Sequence, residues 1–308
     1  MSKIAFIFPG QGAQYCGMGQ DFYENSQTAR ELFDQASEIL GFSVPELCFE
    51  KNDRLDITEY TQVAMVTTSL AMLRVLKERG IAADATAGLS LGEYCAIVAA
   101  GAMQEEDAIR TVRQRGILMQ QAVPVGLGSM AAVLAMDAAT IEAVIAPIEG
   151  VQIANYNCPG QIVISGKKEA VELASEKLKE AGAKRVIALN VSGPFHSAML
   201  TEAGEALRGV LEEVAVSTPK IPYVANVTAS YVRDEKEIKP LLAKQVSSSV
   251  RWQQSMETML ADGVDTFVEI GPGKTLAGFM KKIKRDAKVF NIEKWEDVEV
   301  LVKALKEV

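Results

Sequence analysis

The 308-residue sequence predicts an α/β protein, a parallel-sheet core that carries an inserted ferredoxin-like α+β module. Three observations predict it. Short apolar runs ended by glycine or proline alternate with longer stretches whose apolar residues recur at helical spacing, as crossover helices on a parallel sheet require. Midway, about 65 residues change texture to strand–helix–strand–strand–helix–strand, the ferredoxin-like order. Gly88-Leu89-Ser90-Leu91-Gly92 falls between a strand and a helix, which is the setting of a G-x-S-x-G turn.

Taken in order, Ile4–Phe8 is wholly apolar and stops at Pro9-Gly10, so it reads as a buried strand. Gln27–Leu40 places Ala29, Leu32, Phe33, Ala36, Ile39 and Leu40 at helical spacing, with Gly41 as the stop. A long helix over 59–79 ends at Gly80, then a strand over 85–89 leads through Ser90 into a helix over 91–100. Helix again covers 104–122, up to Pro124. The module follows with strand 129–136, helix 137–146, strands 151–156 and 161–165, helix 167–181 and strand 185–191. The α/β texture then resumes with a helix over 199–214, a strand over 223–226, helices over 237–245 and 253–261, and the apolar strand Thr266–Ile270. No internal repeat or low-complexity segment interrupts this plan.

Composition narrows the function classes. At 48% hydrophobic and 23% charged the chain is ordinary globular material, able to bury a sizeable core. A net charge of -8 argues against nucleic acid as partner, since such proteins present a basic face. The four cysteines (Cys16, Cys48, Cys95, Cys158) show neither C-x-x-C nor metal-ligand spacing, so reduced thiols in a cytoplasmic enzyme are the expectation. The most apolar stretch, 85–103, is broken by Glu93 and several glycines and does not read as membrane-spanning.

The chain contains one histidine, His196. If Ser90 is a nucleophile that needs an imidazole base at neutral pH, only His196 can supply it. His196 lies in Ser192-Gly193-Pro194-Phe195-His196-Ser197, a loop after a strand, where catalytic groups tend to be presented. The bland alternatives are a small-residue turn at Ser90 and a structural histidine. The helix after Ser90 points free N–H groups and its dipole at the site. Phe8-Pro9-Gly10-Gln11-Gly12-Ala13-Gln14 lacks the third glycine of a dinucleotide fingerprint. It is either a plain turn or a loop that brings the Gln11 N–H to an oxyanion hole. Gly271-Pro272-Gly273-Lys274-Thr275 likewise fails the P-loop pattern and reads as a structural loop. Arg113 and Arg115 are either solvated helix charges or, for Arg115 in its apolar surroundings, a two-bond clamp for a carboxylate. Lys281, Lys282, Lys284 and Arg285 form a solvated face or a patch for phosphates or an acidic partner.

Together these segments resemble the malonyl-CoA:acyl carrier protein transacylase family over essentially the whole chain. The residues that carry the resemblance are 8–14, Gly88-Leu89-Ser90-Leu91-Gly92-Glu93-Tyr94, Gly193-Pro194-Phe195-His196-Ser197 and Glu269-Ile270-Gly271-Pro272-Gly273-Lys274, with Asn155-Tyr156-Asn157-Cys158-Pro159-Gly160-Gln161 in support. The resemblance implies an α/β-hydrolase-like core of residues 1–124 and 196–308, with 125–195 as the inserted ferredoxin-like subdomain. It implies that Ser90 takes malonyl from malonyl-CoA and passes it to the phosphopantetheine thiol of acyl carrier protein, with His196 as general base. The backbone N–H groups of Gln11 and Leu91 would form the oxyanion hole, and Arg115 would bind the malonyl carboxylate. The main-chain carbonyl of Gln245 would orient His196. Phe195 would set acyl selectivity, leaving little room for an added methyl, and Asn157 would be a further substrate contact.

The resemblance further implies no tightly bound cofactor, the CoA thioester as substrate, and a cytoplasmic monomer. An acidic carrier would dock at the basic patch of Lys281, Lys282, Lys284 and Arg285. One departure stands out: the family commonly has histidine directly before the nucleophile, where this chain has Leu89. That position is no necessary part of Ser–His chemistry. Two other function classes compete. A serine hydrolase would ordinarily place its histidine near the C-terminus, yet more than 100 residues follow His196. A non-enzymatic carrier-binding scaffold would form no covalent adduct at all.

Overall fold

Two sheets divide the chain along its two sequence textures. A computed structural model describes residues 2–124 and 126–306. In chain order the strands are β1 (Ile4–Phe8), β2 (Ala85–Gly88), β3 (Gly128–Leu134), β4 (Val151–Cys158) and β5 (Gln161–Lys167). They continue with β6 (Arg185–Ala188), β7 (Tyr223–Val224), β8 (Tyr231–Val232), β9 (Thr266–Ile270) and β10 (Lys288–Ile292).

The core sheet runs β10-β9-β1-β2-β7-β8, parallel except for β8, which pairs antiparallel with β7. Its central strand is apolar at every position because both faces are covered. Phe6 and Phe8 point into a cluster with the helices Gln27–Leu40, Thr58–Glu78, Gly92–Ala99 and Glu105–Gln121. Ala5 and Ile7 point to the opposite face, against Trp252, Met256, Leu276 and Met280 from the helices Trp252–Ala261 and Thr275–Ile283. The second sheet runs β4-β5-β3-β6, with every pair antiparallel, and buries its apolar face under the helices Ala138–Ile145 and Lys168–Glu180. This is the ferredoxin-like order expected from the sequence. The sheets meet where β4 bonds to residue 250: the Val250 N–H donates to the Ala154 carbonyl at 2.8 Å, and the Tyr156 N–H to the Val250 carbonyl at 2.9 Å.

Several elements depart from the sequence reading. The expected strand over 185–191 stops at Ala188, because β6 is an edge strand whose pairing with β3 runs only from Arg185 to Ala188. Segments to which the sequence reading gave no element contain the helices Gln20–Asn25, Val44–Phe49, Thr275–Ile283 and Trp295–Lys306 and the strands β8 and β10. The helix Thr275–Ile283 shows why. Its cap comes from the strand before it, where the Glu269 carboxylate accepts the N–H groups of Leu276 at 2.9 Å and Ala277 at 2.8 Å. The residue at the N-cap itself is Lys274, which makes no side-chain cap bond and gives no start signal in the sequence. Among the described residues no helix is long and apolar enough to cross a membrane.

Candidate active site

β1 and β2 end side by side, Phe8 opposite Gly88, so both loops that leave them open at one edge of the sheet. There the chain turns from β2 into the helix Gly92–Ala99 with almost no space. A Cβ on Gly88 would fall 2.0 Å from the Gly92 carbonyl carbon, and one on Gly92 would fall 2.2 Å from the Phe8 carbonyl oxygen. The two glycines of the G-x-S-x-G motif are therefore steric necessities. Ser90 itself sits at φ +52°, a left-handed conformation worth about 1–3 kcal/mol of strain in a non-glycine residue. Asn226, just beyond β7, holds it there. Its Oδ1 accepts the Ser90 N–H at 2.6 Å, and its Nδ2 donates to the Gly88 carbonyl at 2.7 Å.

His196 reaches the serine from a loop that follows the second sheet. Its Nε2 lies 2.7 Å from Ser90 Oγ and its Nδ1 lies 2.9 Å from the main-chain oxygen of Gln245. A carbonyl only accepts, so Nδ1 carries the proton and Nε2 is left to accept from the serine hydroxyl. That is the tautomer of a general base. Burial, and after it the Arg115 charge, push the imidazole down to about 4, so it is neutral at pH 7. His196 is also left-handed, at φ +57°. Gln152 on β4 ties down its backbone, with Nε2 donating to the His196 carbonyl at 3.1 Å and Oε1 accepting the Ala198 N–H at 2.9 Å.

Residues 5–301 match the acyl transferase domain model. The malonyl CoA-acyl carrier protein transacylase of Bacillus subtilis (strain 168) is 49% identical over 312 residues, covering 100% of this chain and 98% of that protein. The chain belongs to the malonyl CoA-acyl carrier protein transacylase family. Solved structures of the family superpose closely. The transacylase of Clostridium perfringens is 42% identical with a TM-score of 0.96, covering 99% of this chain and 98% of that one. A malonyl-transacylase in complex with its type II PKS acyl-carrier protein is 36% identical with a TM-score of 0.96, covering 98% and 100%.

Around the serine and histidine the family's chain brings a buried polar cluster. Arg115, from the helix Glu105–Gln121, is 1% exposed, and its Nη2 donates to Ser90 Oγ at 3.1 Å and to Gln245 Oε1 at 3.0 Å. Among the described residues no carboxylate forms an ion pair with it, and its Nε has no partner. Burial lowers its pKa, against the opposing influence of Tyr94 and Glu93, yet a guanidinium stays charged. Gln245 is the hub: beyond Arg115 and His196, its Nε2 donates to the Ser90 carbonyl at 2.9 Å and to Glu93 Oε2 at 2.7 Å. The backbone N–H groups of Gln11 and Leu91 have no hydrogen-bond partner among the described residues; Leu91 follows Ser90, and Gln11 follows Gly10, where a Cβ would fall 2.6 Å from the Leu89 carbonyl oxygen. Donors free at this position suit an oxyanion.

The remaining sequence candidates lie outside that cluster. Phe195 is buried in the main core beside the histidine. Asn157 is buried on β4, but no hydrogen bond joins it to Ser90, His196 or Arg115. Leu89 packs against the cluster of Trp252 and Met256, on the second face of the sheet. Arg113 is structural, paired with Glu59 at 2.6 Å and lying over the Tyr60 ring. Lys281 and Lys282 end the helix Thr275–Ile283, where cations are favourable, and Lys284 pairs with Asp286 at 3.1 Å.

Sequence reasoning missed Asn226, the functional side chain of Gln245 and Glu93 as parts of the site. For Glu93 a signal existed: it is the one charged residue in the apolar helix Gly92–Ala99.

Proposed function

We propose that this chain moves malonyl from malonyl-CoA to the phosphopantetheine thiol of acyl carrier protein through a malonyl-Ser90 ester. The observation that carries the reading is the Ser90 Oγ–His196 Nε2 contact of 2.7 Å, set beside a buried Arg115 that has no carboxylate partner among the described residues. His196 takes the Ser90 proton as Oγ attacks the thioester carbonyl, and gives it to the departing CoA sulfur. In the second half it takes the proton of the carrier thiol, whose sulfur attacks the ester and frees Ser90. The tetrahedral oxyanion of each half rests on the N–H groups of Gln11 and Leu91. Arg115 receives the malonyl carboxylate, a role that favours malonyl over acetyl because a neutral acyl group leaves the guanidinium unpaired. Gln245 orients His196 in place of the carboxylate of a full triad. The chemistry draws on these groups alone, with the CoA thioester as substrate.

Further parts of the reading follow. Phe195 restricts branching at the acyl carbon next to the thioester, and Asn157 contacts substrate after the side chains around it adjust. Residues 125–195 form the inserted subdomain on a core of 1–124 and 196–308, and Val125 lies outside the described residues. The protein works as a cytoplasmic monomer whose carrier docks at the basic patch of Lys281, Lys282, Lys284 and Arg285, on and after the last turn of a helix.

Intact-mass measurement tests the central claim. Wild-type protein mixed with malonyl-CoA gains one malonyl group, Ser90→Ala gains none, and the adduct passes to a carrier thiol faster than it releases malonate. Labelling that persists in Ser90→Ala, or release of malonate that outruns transfer, would defeat the proposal.

A further inference from the structure

Glu93 is fully buried in the first turn of the helix that follows Ser90, and its backbone N–H donates to the Ser90 carbonyl at 3.1 Å, yet its carboxylate bonds directly to neither Ser90, His196 nor Arg115. Its Oε2 instead accepts two donors from other elements, the Gln245 Nε2 at 2.7 Å and the Asn226 N–H at 3.2 Å. Those two residues hold the reacting groups. Asn226 binds the Ser90 N–H and the Gly88 carbonyl. Gln245 binds the Ser90 carbonyl and Arg115 by its side chain, and His196 by its main chain. The amide of Gln245 has one workable orientation. Both partners of Nε2 are acceptors, and the partner of Oε1 is a guanidinium that can only donate.

We propose that Glu93 is a positioning residue for acyl transfer. Its Oε2 fixes the rotamer of Gln245 and the backbone of Asn226, and through them the placement of Arg115 and Ser90. A free glutamine side chain populates several rotamers, and each unproductive one leaves Arg115 and the Ser90 carbonyl without their partner. Displacements of about 1 Å at a reacting centre cost up to a hundredfold in rate. What Gln245 needs from Glu93 is an acceptor oxygen at one place. Burial raises the carboxyl to about 7, so its neutral form is well populated near neutrality, and that form keeps Oε2 as an acceptor.

The inference rests on the Ser90 transfer reading, and the test separates the two. The single-turnover rate constant for malonylation of Ser90 at saturating malonyl-CoA is read by intact mass for Glu93→Gln, Glu93→Asp and Glu93→Ala, each alone and combined with Gln245→Ala. Glutamine keeps the oxygen in place without the charge, whereas aspartate keeps the charge and withdraws the oxygen by about 1.5 Å. The expected result is Glu93→Gln within about threefold of wild type and Glu93→Asp and Glu93→Ala slower by about tenfold or more. In the Gln245→Ala background, Glu93→Asp then costs several-fold less than it does alone, because the linkage through Gln245 is already broken and only the bond to the Asn226 N–H remains to be lost. Glu93→Asp at the wild-type rate, Glu93→Gln as slow as Glu93→Asp, or an undiminished cost in the Gln245→Ala background overturns the assignment. If Glu93→Ala fails to fold, the glutamine–aspartate pair decides alone. A wild-type protein that takes up no malonyl refutes the transfer reading itself, whereas a labelled wild type with an insensitive Glu93 refutes only this inference.

Discussion

Replacing Arg115 by alanine should convert a malonyl-selective enzyme into one nearly indifferent to acyl charge. The guanidinium is 1% exposed, and among the described residues its only hydrogen-bond acceptors are Ser90 Oγ and Gln245 Oε1, both neutral. A malonyl carboxylate therefore meets a buried cation with no competing carboxylate bonded to it. Truncating one partner of such a buried, hydrogen-bonded charge pair costs about 2–5 kcal/mol. Taking about 3 kcal/mol, kcat/KM for malonyl-CoA falls roughly a hundredfold. Acetyl-CoA gains nothing from the cation, so its kcat/KM stays within about threefold once the general loss from a disturbed Gln245 is allowed for. The ratio of the two kcat/KM values is thus the proper readout, measured by carrier acylation with each thioester under identical conditions. Arg115→Lys keeps the charge without the planar fork and should fall between wild type and alanine. A malonyl-to-acetyl ratio in Arg115→Ala within about threefold of wild type would refute the clamp, whatever the absolute rates.

Other outcomes follow from the same geometry. His196 is held down to about 4 by burial and by Arg115, so protonation removes the base only as pH falls through that value. The acid limb of kcat/KM should lie well below the ordinary histidine value of about 6.5, and a limb at that ordinary value would show that burial does not govern this imidazole. Arg115→Ala removes the positive neighbour and should move the limb to higher pH, which a rate–pH profile with acetyl-CoA reads directly. Gly10→Ala places a Cβ 2.6 Å from the Leu89 carbonyl oxygen, so the loop that carries Gln11 must shift. Loss of one oxyanion donor predicts a fall of about a hundredfold in acylation with little change in KM, and a wild-type rate would remove Gln11 from the oxyanion hole. Asn226→Ala leaves the buried Ser90 N–H and Gly88 carbonyl unpaired. Denaturant titration should show a loss of about 2 kcal/mol together with slower acylation, and unchanged values of both would dismiss Asn226 as the brace of the turn.

Much of this was legible in the chain itself. Strand β1 and the helix Gln27–Leu40 were readable to the residue, because uninterrupted apolarity and helical spacing are local and each is closed by a local stop, Pro9-Gly10 and Gly41. The candidate nucleophile and its candidate base were legible for a different reason: Gly-x-Ser-x-Gly is a steric requirement of a tight turn, and the chain has a single histidine to offer. The helix Thr275–Ile283 was not, since its cap is a carboxylate on the preceding strand.

Sequence alone therefore determined most of the strands and helices, including the strand–helix–strand–strand–helix–strand stretch, and it singled out Ser90 and His196 as candidates. Those follow from periodicity, turn sterics and scarcity, all properties of neighbouring residues or simple counts. Only the tertiary structure decided how the site is held. Glu93, Asn226 and Gln245 are far apart in the chain, and their carboxyl and amide groups would be ordinary surface chemistry if exposed. Folding removes water from all three and leaves their bonded groups dependent on one another, with Gln245 Nε2 bound to both Glu93 Oε2 and the Ser90 carbonyl. In that dry interior an unpaired polar group is costly and a paired one is fixed in place. A property of the pairing, which no single residue carries, holds the half-buried serine turn in place beside His196.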